Sequence, residues 1–310
     1  MTDLFLHHYP ASLFSEKIRS LLGYLELEWN SVHINNIMPR PNLMELSGGY
    51  RKTPILQDGA NVFCDTKIIS QHLAARAGNT ALYAPGFAAN RFAEWADSAL
   101  FRTAVGLCFQ PKAVEVIAQQ LGADNLEAFM KDRAELSGGQ QMAAMSPQLA
   151  EASFLHYLRE LEDGLRDAFL FGKTPSIADF SLYHCLWFVS MNPVVAPLLE
   201  DFPKVQRYMQ PFIDWGQISA TDSTSESALE RGHTSEPELF AYGAALPTDG
   251  IAIGDAVQVT PDDYGRIPVR GTLLHLSDVT VVIRRSDPRA GEVNVYFPRT
   301  GFDVELAASV

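Results

Sequence analysis

Tyr50-Arg51-Lys52-Thr53-Pro54-Ile55-Leu56-Gln57-Asp58-Gly59, followed by Cys64-Asp65-Thr66 and an apolar-periodic run, is the stretch on which the reading of this chain turns. Pro54 has no N–H and does not belong inside a central strand, so a strand that begins there with Ile55 and Leu56 starts at a special turn. If the Thr53-Pro54 bond is cis, Thr53 keeps an unpaired N–H and C=O at an open edge, where a second extended peptide can join as an added strand. Asp58-Gly59 is a hairpin signal, and Asn61-Val62-Phe63 reads as the returning strand. Asp65-Thr66 then opens an amphipathic helix with Ile68, Ile69, His72 and Leu73 at helical spacing. A carboxylate, a hydroxyl and free N–H groups therefore gather at one helix N-terminus. That place suits a zwitterionic α-amino acid end, its carboxylate on Thr66 and the helix, its ammonium on Asp65.

Toward the N-terminus, Leu4-Phe5-Leu6-His7 reads as a short strand. From Leu13 onward, Phe14, Ile18, Leu21, Leu22 and Leu25 mark a helix with one buried stripe. Pro10-Ala11-Ser12 is the turn between them, with Ser12 at the N-cap. The helix dipole favours an anion beside the Ser12 hydroxyl and pushes a bound thiol toward thiolate. The bland alternative is that Ser12 is a cap and nothing more.

Three segments, Tyr9-Pro10-Ala11-Ser12-Leu13-Phe14-Ser15-Glu16-Lys17-Ile18-Arg19, Lys52-Thr53-Pro54-Ile55-Leu56 and Asp65-Thr66, resemble in order the thioredoxin-like domain of the cytosolic glutathione transferase superfamily. The likeness is to its serine-type classes and covers Leu4 to about Ala77. It implies that Ser12 is the thiol-activating serine, and that Thr53, before cis Pro54, pairs with the cysteinyl backbone of glutathione. By the same resemblance Asp65 and Thr66 hold the γ-glutamyl end, and Lys52 lies near the position that meets the glycine carboxylate. The segment Asn35 to Gly49, with Pro39-Arg40-Pro41, departs from the family pattern, so Arg40 and Arg51 stand as alternatives to Lys52. The resemblance further implies glutathione as co-substrate, no metal or organic redox cofactor, and a homodimer.

A chain of 310 residues suits two or three domains, and 47% hydrophobic with 20% charged residues is a soluble, core-forming composition. No run of eighteen apolar residues is present, and the N-terminus, with Asp3 and no basic segment, lacks a signal-peptide pattern, so no membrane association is expected. Three widely spaced cysteines, Cys64, Cys108 and Cys185, argue against a disulfide framework and for the cytoplasm. A formal net charge of −13 opposes nucleic-acid binding.

The expected fold class is α+β multidomain. Residues 1–78 form a thioredoxin-like α/β glutathione-binding domain and, after a linker at Gly78 to Gly86, residues 87–215 an all-α domain of the transferase C-terminal type. Residues 216–237 read as a linker with a short helix near Ala228 to Arg231, and residues 238–310 as a small SH3-like β-barrel. In the helical domain Phe92, Trp95, Ala96, Ala99, Leu100 and Thr103 line one stripe. Pro175-Ser176-Ile177-Ala178-Asp179 is a capping-box start to a buried helix, at the place where the transferases carry a similar box. Strands are expected at Ala256–Thr260, Gly271–Leu276, Val279–Arg285, Glu292–Phe297 and Asp303–Leu306, closing as an accessory module that lends no residue to the thiol site. Six arginines, no lysine and eight acids from Gly250 onward argue against an RNA-binding barrel.

His7 and His8 alternate across a strand end and cannot both reach one ligand, and no cysteine or acid is spaced to complete a metal site. Ser12-Leu13-Phe14-Ser15 stands where related redox proteins carry Cys-x-x-Cys, so dithiol exchange there is excluded. Leu136-Ser137-Gly138-Gly139-Gln140 matches a transport-ATPase signature but has no phosphate loop to serve, and reads as an inserted mobile loop. Trp95, Phe101, Arg102 and Phe109 lie on the helix that in the transferases faces the thiol; the electrophile pocket is placed at Trp95 and Arg102, with core packing as the alternative. The expected activity is ionisation of the glutathione thiol and its transfer to an electrophilic small molecule. A non-catalytic glutathione-fold binding protein and a glutathione-dependent isomerase or reductase are the alternatives.

Overall fold

Short apolar strands alternating with one-sided helices build the expected first unit. In the computed structural model, which describes residues 3–138, 145–218, 220–246 and 250–307, β1 (Leu4–His8) leads to α1 (Leu13–Tyr24), β2 (Asn30–His33) and α2 (Pro41–Ser47). β3 (Ile55–Asp58) and β4 (Asn61–Cys64) form the hairpin, turning at Gly59 with φ 59°, a conformation that favours glycine. α3 (Thr66–Arg76) follows. β1 pairs parallel with β2 and antiparallel with β3, which pairs antiparallel with β4. Ile18, Leu21 and Leu22 of α1 and Ile68, Ile69 and Leu73 of α3 are buried in one core with Leu4, Leu6 and Leu56.

The helical unit begins with α4 (Phe87–Trp95), a π-helical turn (Ala96–Leu100) and α5 (Phe101–Cys108). It continues through α6 (Pro111–Leu121), α7 (Ala123–Leu136), α8 (Pro147–Gly164), α9 (Ile177–Ser190) and α10 (Pro203–Gly216). α9 is apolar nearly all round and accordingly central. Its capping box forms as expected: the Asp179 carboxylate accepts from Ser176 N and Ser176 Oγ, each at 2.8 Å. The Gly139-Gln140 end of the expected inserted loop lies outside the described residues.

Two expectations are corrected. Residues 216–237 contain more than a linker: β5 (Thr221–Ser223) adds in parallel to β2, and α11 (Ser225–Thr234), capped by Thr224, buries Ala228 and Leu229. A polar Thr-Asp-Ser strand pairs through its backbone alone, so apolar alternation could not reveal it. The C-terminal strands β6 (Ala256–Pro261), β7 (Val269–Leu276), β8 (Thr280–Asp287), β9 (Gly291–Pro298) and β10 (Phe302–Leu306) fall where the sequence puts them, in the order β10-β6-β7-β8-β9. They do not stand apart, however. β9 pairs in parallel with β4, Asn61 to Asn294, Val62 to Val295 and Phe63 to Tyr296, making one ten-stranded sheet. Ile55, Val62 and Cys64 share a core with Val257, Ile283, Val295 and Phe297, each large apolar side chain contributing roughly 1.5–3 kcal/mol by its burial. β4 would otherwise be an open edge, and the later strands cover it. Shortening the chain to near Glu236 would uncover this edge and core.

Candidate functional site

The polar residues singled out in the sequence meet where the first unit faces the helices. The Thr53-Pro54 peptide is cis, and Thr53 N–H and C=O make no backbone hydrogen bond among the described residues. Asp65 caps α3, its carboxylate accepting from Lys67 N at 2.9 Å. Its φ of 93° lies in the region that favours glycine, and such a conformation costs on the order of 1–3 kcal/mol unless its surroundings hold it. Burial raises the Asp65 pKa above the ordinary carboxylate range, against the Lys67 N–H bond and the Lys52 charge, which lower it. Thr66 is buried beside it.

A cavity of about 640 Å³ is walled by three parts of the chain. The first unit supplies Phe14, Tyr50, Lys52, Thr53, Pro54, Asp65 and Thr66; the helices supply Asp97, Ser98, Phe101, Arg102, Ser137 and Met145; the C-terminal strands supply Asp263 and Tyr264. The expectation that the C-terminal module lends nothing to the site is thus corrected. The loop between β6 and β7 reaches across, Gly265 N donating to Leu136 O at the end of α7 at 2.9 Å.

Ser12 is placed at the α1 N-terminus as predicted, but not on the cavity wall. It is buried, and its Oγ accepts from Ser15 N at 3.2 Å. A hydroxyl that accepts one bond can still donate its proton, and no acceptor for it is found among the described residues. Lys52 is on the wall, ion-paired with Asp263, its ammonium 4.3 Å from the centre of the Tyr264 ring. The alternatives to it are committed elsewhere: Arg40 donates to Asn35 O, Arg51 O and Thr53 Oγ1, and Arg51 pairs with Asp132 at 2.7 Å.

Arg102 and Phe101 line the cavity, whereas Trp95 does not. Trp95 faces a separate apolar groove with Phe92, Tyr157 and Leu161. The seven-residue spacing of Trp95 and Arg102 would share a face of a regular α-helix. The π-helical turn at Ala96–Leu100 intervenes; one extra residue in a turn rotates the downstream helix by about 100°. Phe109 lines neither space and stacks on Phe129, ring centres 6.2 Å apart.

That π turn presents Asp97, which the sequence reading did not single out. The Asp97 carboxylate accepts from Lys17 at 2.7 Å, Ser181 at 3.2 Å and His184 at 2.9 Å. Burial alone would raise the Asp97 pKa, but the Lys17 ammonium and the His184 hydrogen bond hold it at about 2. Burial lowers the pKa of His184. The signal available was a single acid inside the apolar stripe of Trp95, Ala96, Ala99 and Leu100. Tyr50 was also missed as a wall residue: its hydroxyl is buried without a hydrogen-bond partner among the described residues, and burial pushes its pKa well up, so it stays a neutral donor. His7 and His8 are structural, bonded to Gln57 at 3.1 Å and Ser31 at 2.9 Å. Among the described residues no cluster of His, Cys, Asp and Glu is arranged to hold a metal, and no helix is long and apolar enough to cross a membrane.

The glutathione S-transferase N-terminal domain matches residues 6–81, and the glutathione S-transferase C-terminal domain matches residues 114–210. A GST-like protein from Pseudomonas syringae is 38% identical, over 97% of this chain and 99% of its own, with a TM-score of 0.78. The chain belongs to the glutathione S-transferase family. A glutathione S-transferase from Rhodospirillum rubrum F11 shares the fold at 16% identity and a TM-score of 0.50, over 66% of this chain and 86% of its own. No curated protein matches. In this family member, Ser12, Thr53, Asp65 and Thr66 fall inside the N-terminal match, Asp97 between the two matches, and Asp263 and Tyr264 after both.

Proposed function

We propose that the cavity binds glutathione and that the chain ionises its thiol and transfers it to an electrophilic small molecule. The observation that carries this reading is the convergence, on one cavity wall, of Thr53 with its unpaired backbone and of Asp65-Thr66 at the start of α3. The γ-glutamyl ammonium is assigned to the Asp65 carboxylate, its carboxylate to Thr66 and the α3 N-terminus, and the cysteinyl backbone to Thr53. The electrophile is assigned to the side of Phe101 and Arg102. Asp65→Ala should weaken glutathione binding by about 1.5–3 kcal/mol, the range for hydrogen bonds to charged groups. Unchanged affinity in calorimetric titration would overturn the assignment.

The raised Asp65 pKa sets a pH dependence. A ligand ammonium favours the ionised carboxylate, so binding is at full strength above the Asp65 value in the free protein and falls as the pH drops through it, at most about tenfold per pH unit. Binding near that pH should release a proton. Titrations in buffers of different ionisation enthalpy measure this release, and Asp65→Asn should abolish it.

A second reading, a binding protein that does no chemistry, draws on Ser12, whose oxygen caps α1 and is off the cavity wall. Turnover on a panel of electrophiles separates the two: bound glutathione with no conjugate, isomer or disulfide formed would favour the second.

A further inference from the structure

Among the described residues, Lys52 and the two basic alternatives to it, Arg40 and Arg51, each already have an anionic or carbonyl partner. Lys52 is paired with Asp263 and covered by the Tyr264 ring. Arg51 is paired with Asp132, and Arg40 donates from Nε to Asn35 O and from Nη1 to Arg51 O and Thr53 Oγ1. The loop that brings Asp263 is fixed at both ends. Asp262 N donates to Gly301 O at 3.0 Å and Gly265 N to Leu136 O at 2.9 Å. Gly265 turns with φ 65°, and a Cβ there would stand 3.0 Å from Leu136 Cδ1, so the turn is both glycine-shaped and closely packed. Arg102, the remaining cation of the wall, belongs to α5 on the helical side.

We infer that Asp263 is a specificity-determining residue, selecting glutathione derivatives whose glycine end carries no free carboxylate, such as an ester, an amide or an amine-extended form. This rests on the reading that the cavity holds a glutathione-type peptide. A free glycine carboxylate must displace Asp263 from Lys52 and then lie beside the displaced carboxylate, a like-charge contact that specificity commonly exploits. An uncharged end leaves the Lys52–Asp263 pair intact, and an ammonium end adds a partner for Asp263.

The test titrates glutathione and its glycine monoethyl ester into the full-length wild type, Asp263→Asn and Asp263→Asn combined with Lys52→Met, each checked for an unchanged thermal transition. Wild type should bind the ester at least as tightly as glutathione. Asp263→Asn should tighten glutathione about five- to tenfold while leaving the ester within about twofold, and the gain should vanish when Lys52 is also replaced. Should Asp263→Asn fail to form a native transition, Asp263→Ser carries the same comparison. An ester-to-acid ratio that is the same in wild type and the Asp263 variant overturns the selectivity but leaves the glutathione assignment standing. Absence of binding by both ligands to the wild type and to every variant overturns both.

Discussion

Asp97→Ala is expected to destabilise the protein by about 3–5 kcal/mol, the cost of breaking one partner from a buried ion pair. Lys17 is 1% exposed, and Asp97 is its counter-ion at 2.7 Å. Without that carboxylate a buried ammonium and the Ser181 and His184 donors lose their acceptor, and the packing of α1 against α9 is undermined at the cavity floor. The pH dependence has a defined sign. The Asp97 pKa is depressed to about 2 in the folded chain, so the carboxylate contributes stability above its unfolded value, near 3.9, and loses that contribution as the pH falls through the folded value. Urea unfolding of wild type and mutant should therefore differ by a constant amount above about pH 5 and converge toward pH 2. Asp97→Ala combined with Lys17→Met should recover part of the loss, because two uncharged groups are less costly than one stranded ion. A loss under about 1 kcal/mol would show that water reaches Lys17 and solvates it.

Ser12→Ala is expected to slow conjugation by about two to three orders of magnitude while glutathione affinity stays within about tenfold. On the proposed assignment Thr53, Asp65 and Thr66 would hold the peptide, so binding and chemistry should separate. A free thiol has a pKa of about 8.5; lowering it by two pH units takes roughly 2.7 kcal/mol of differential stabilisation. Ser12 lies off the cavity wall, so the prediction requires its remaining proton to turn toward a thiolate bound at the α1 N-terminus; one such charge-assisted hydrogen bond is of that size. The ultraviolet absorbance of bound thiolate, followed against pH in wild type and mutant, reads the effect directly. Coincident titration curves, together with a stability loss of about 1 kcal/mol, would make Ser12 a helix cap only.

Much of this was legible along the chain because the deciding signals are local. Proline geometry, the Asp58-Gly59 turn and the apolar period of α3 act within a few residues, and so do the caps at Ser12, Asp65 and Ser176. They place β3, β4 and their flanking helices, and they name Thr53, Asp65 and Thr66 as neighbours. The five C-terminal strands were legible for the same reason, since alternation and turn residues mark them one by one. What the local pattern cannot carry is phase across an irregular turn or pairing between distant edges. The π turn at Ala96–Leu100 moved Trp95 off the cavity and put Asp97 against Lys17, eighty residues earlier in the chain. Nothing in an isolated helical stripe encodes that rotation, because it is settled by packing against α1 and α9. The parallel pairing of β9 with β4, and with it the delivery of Asp263 and Tyr264 to Lys52, joins segments more than two hundred residues apart through backbone hydrogen bonds and a shared core. Sequence alone determined most of the elements and brought Thr53, Asp65 and Thr66 together at one end of the cavity. Tertiary packing decided what closes the other end, because charge pairing across the cavity exists only once both walls are in place.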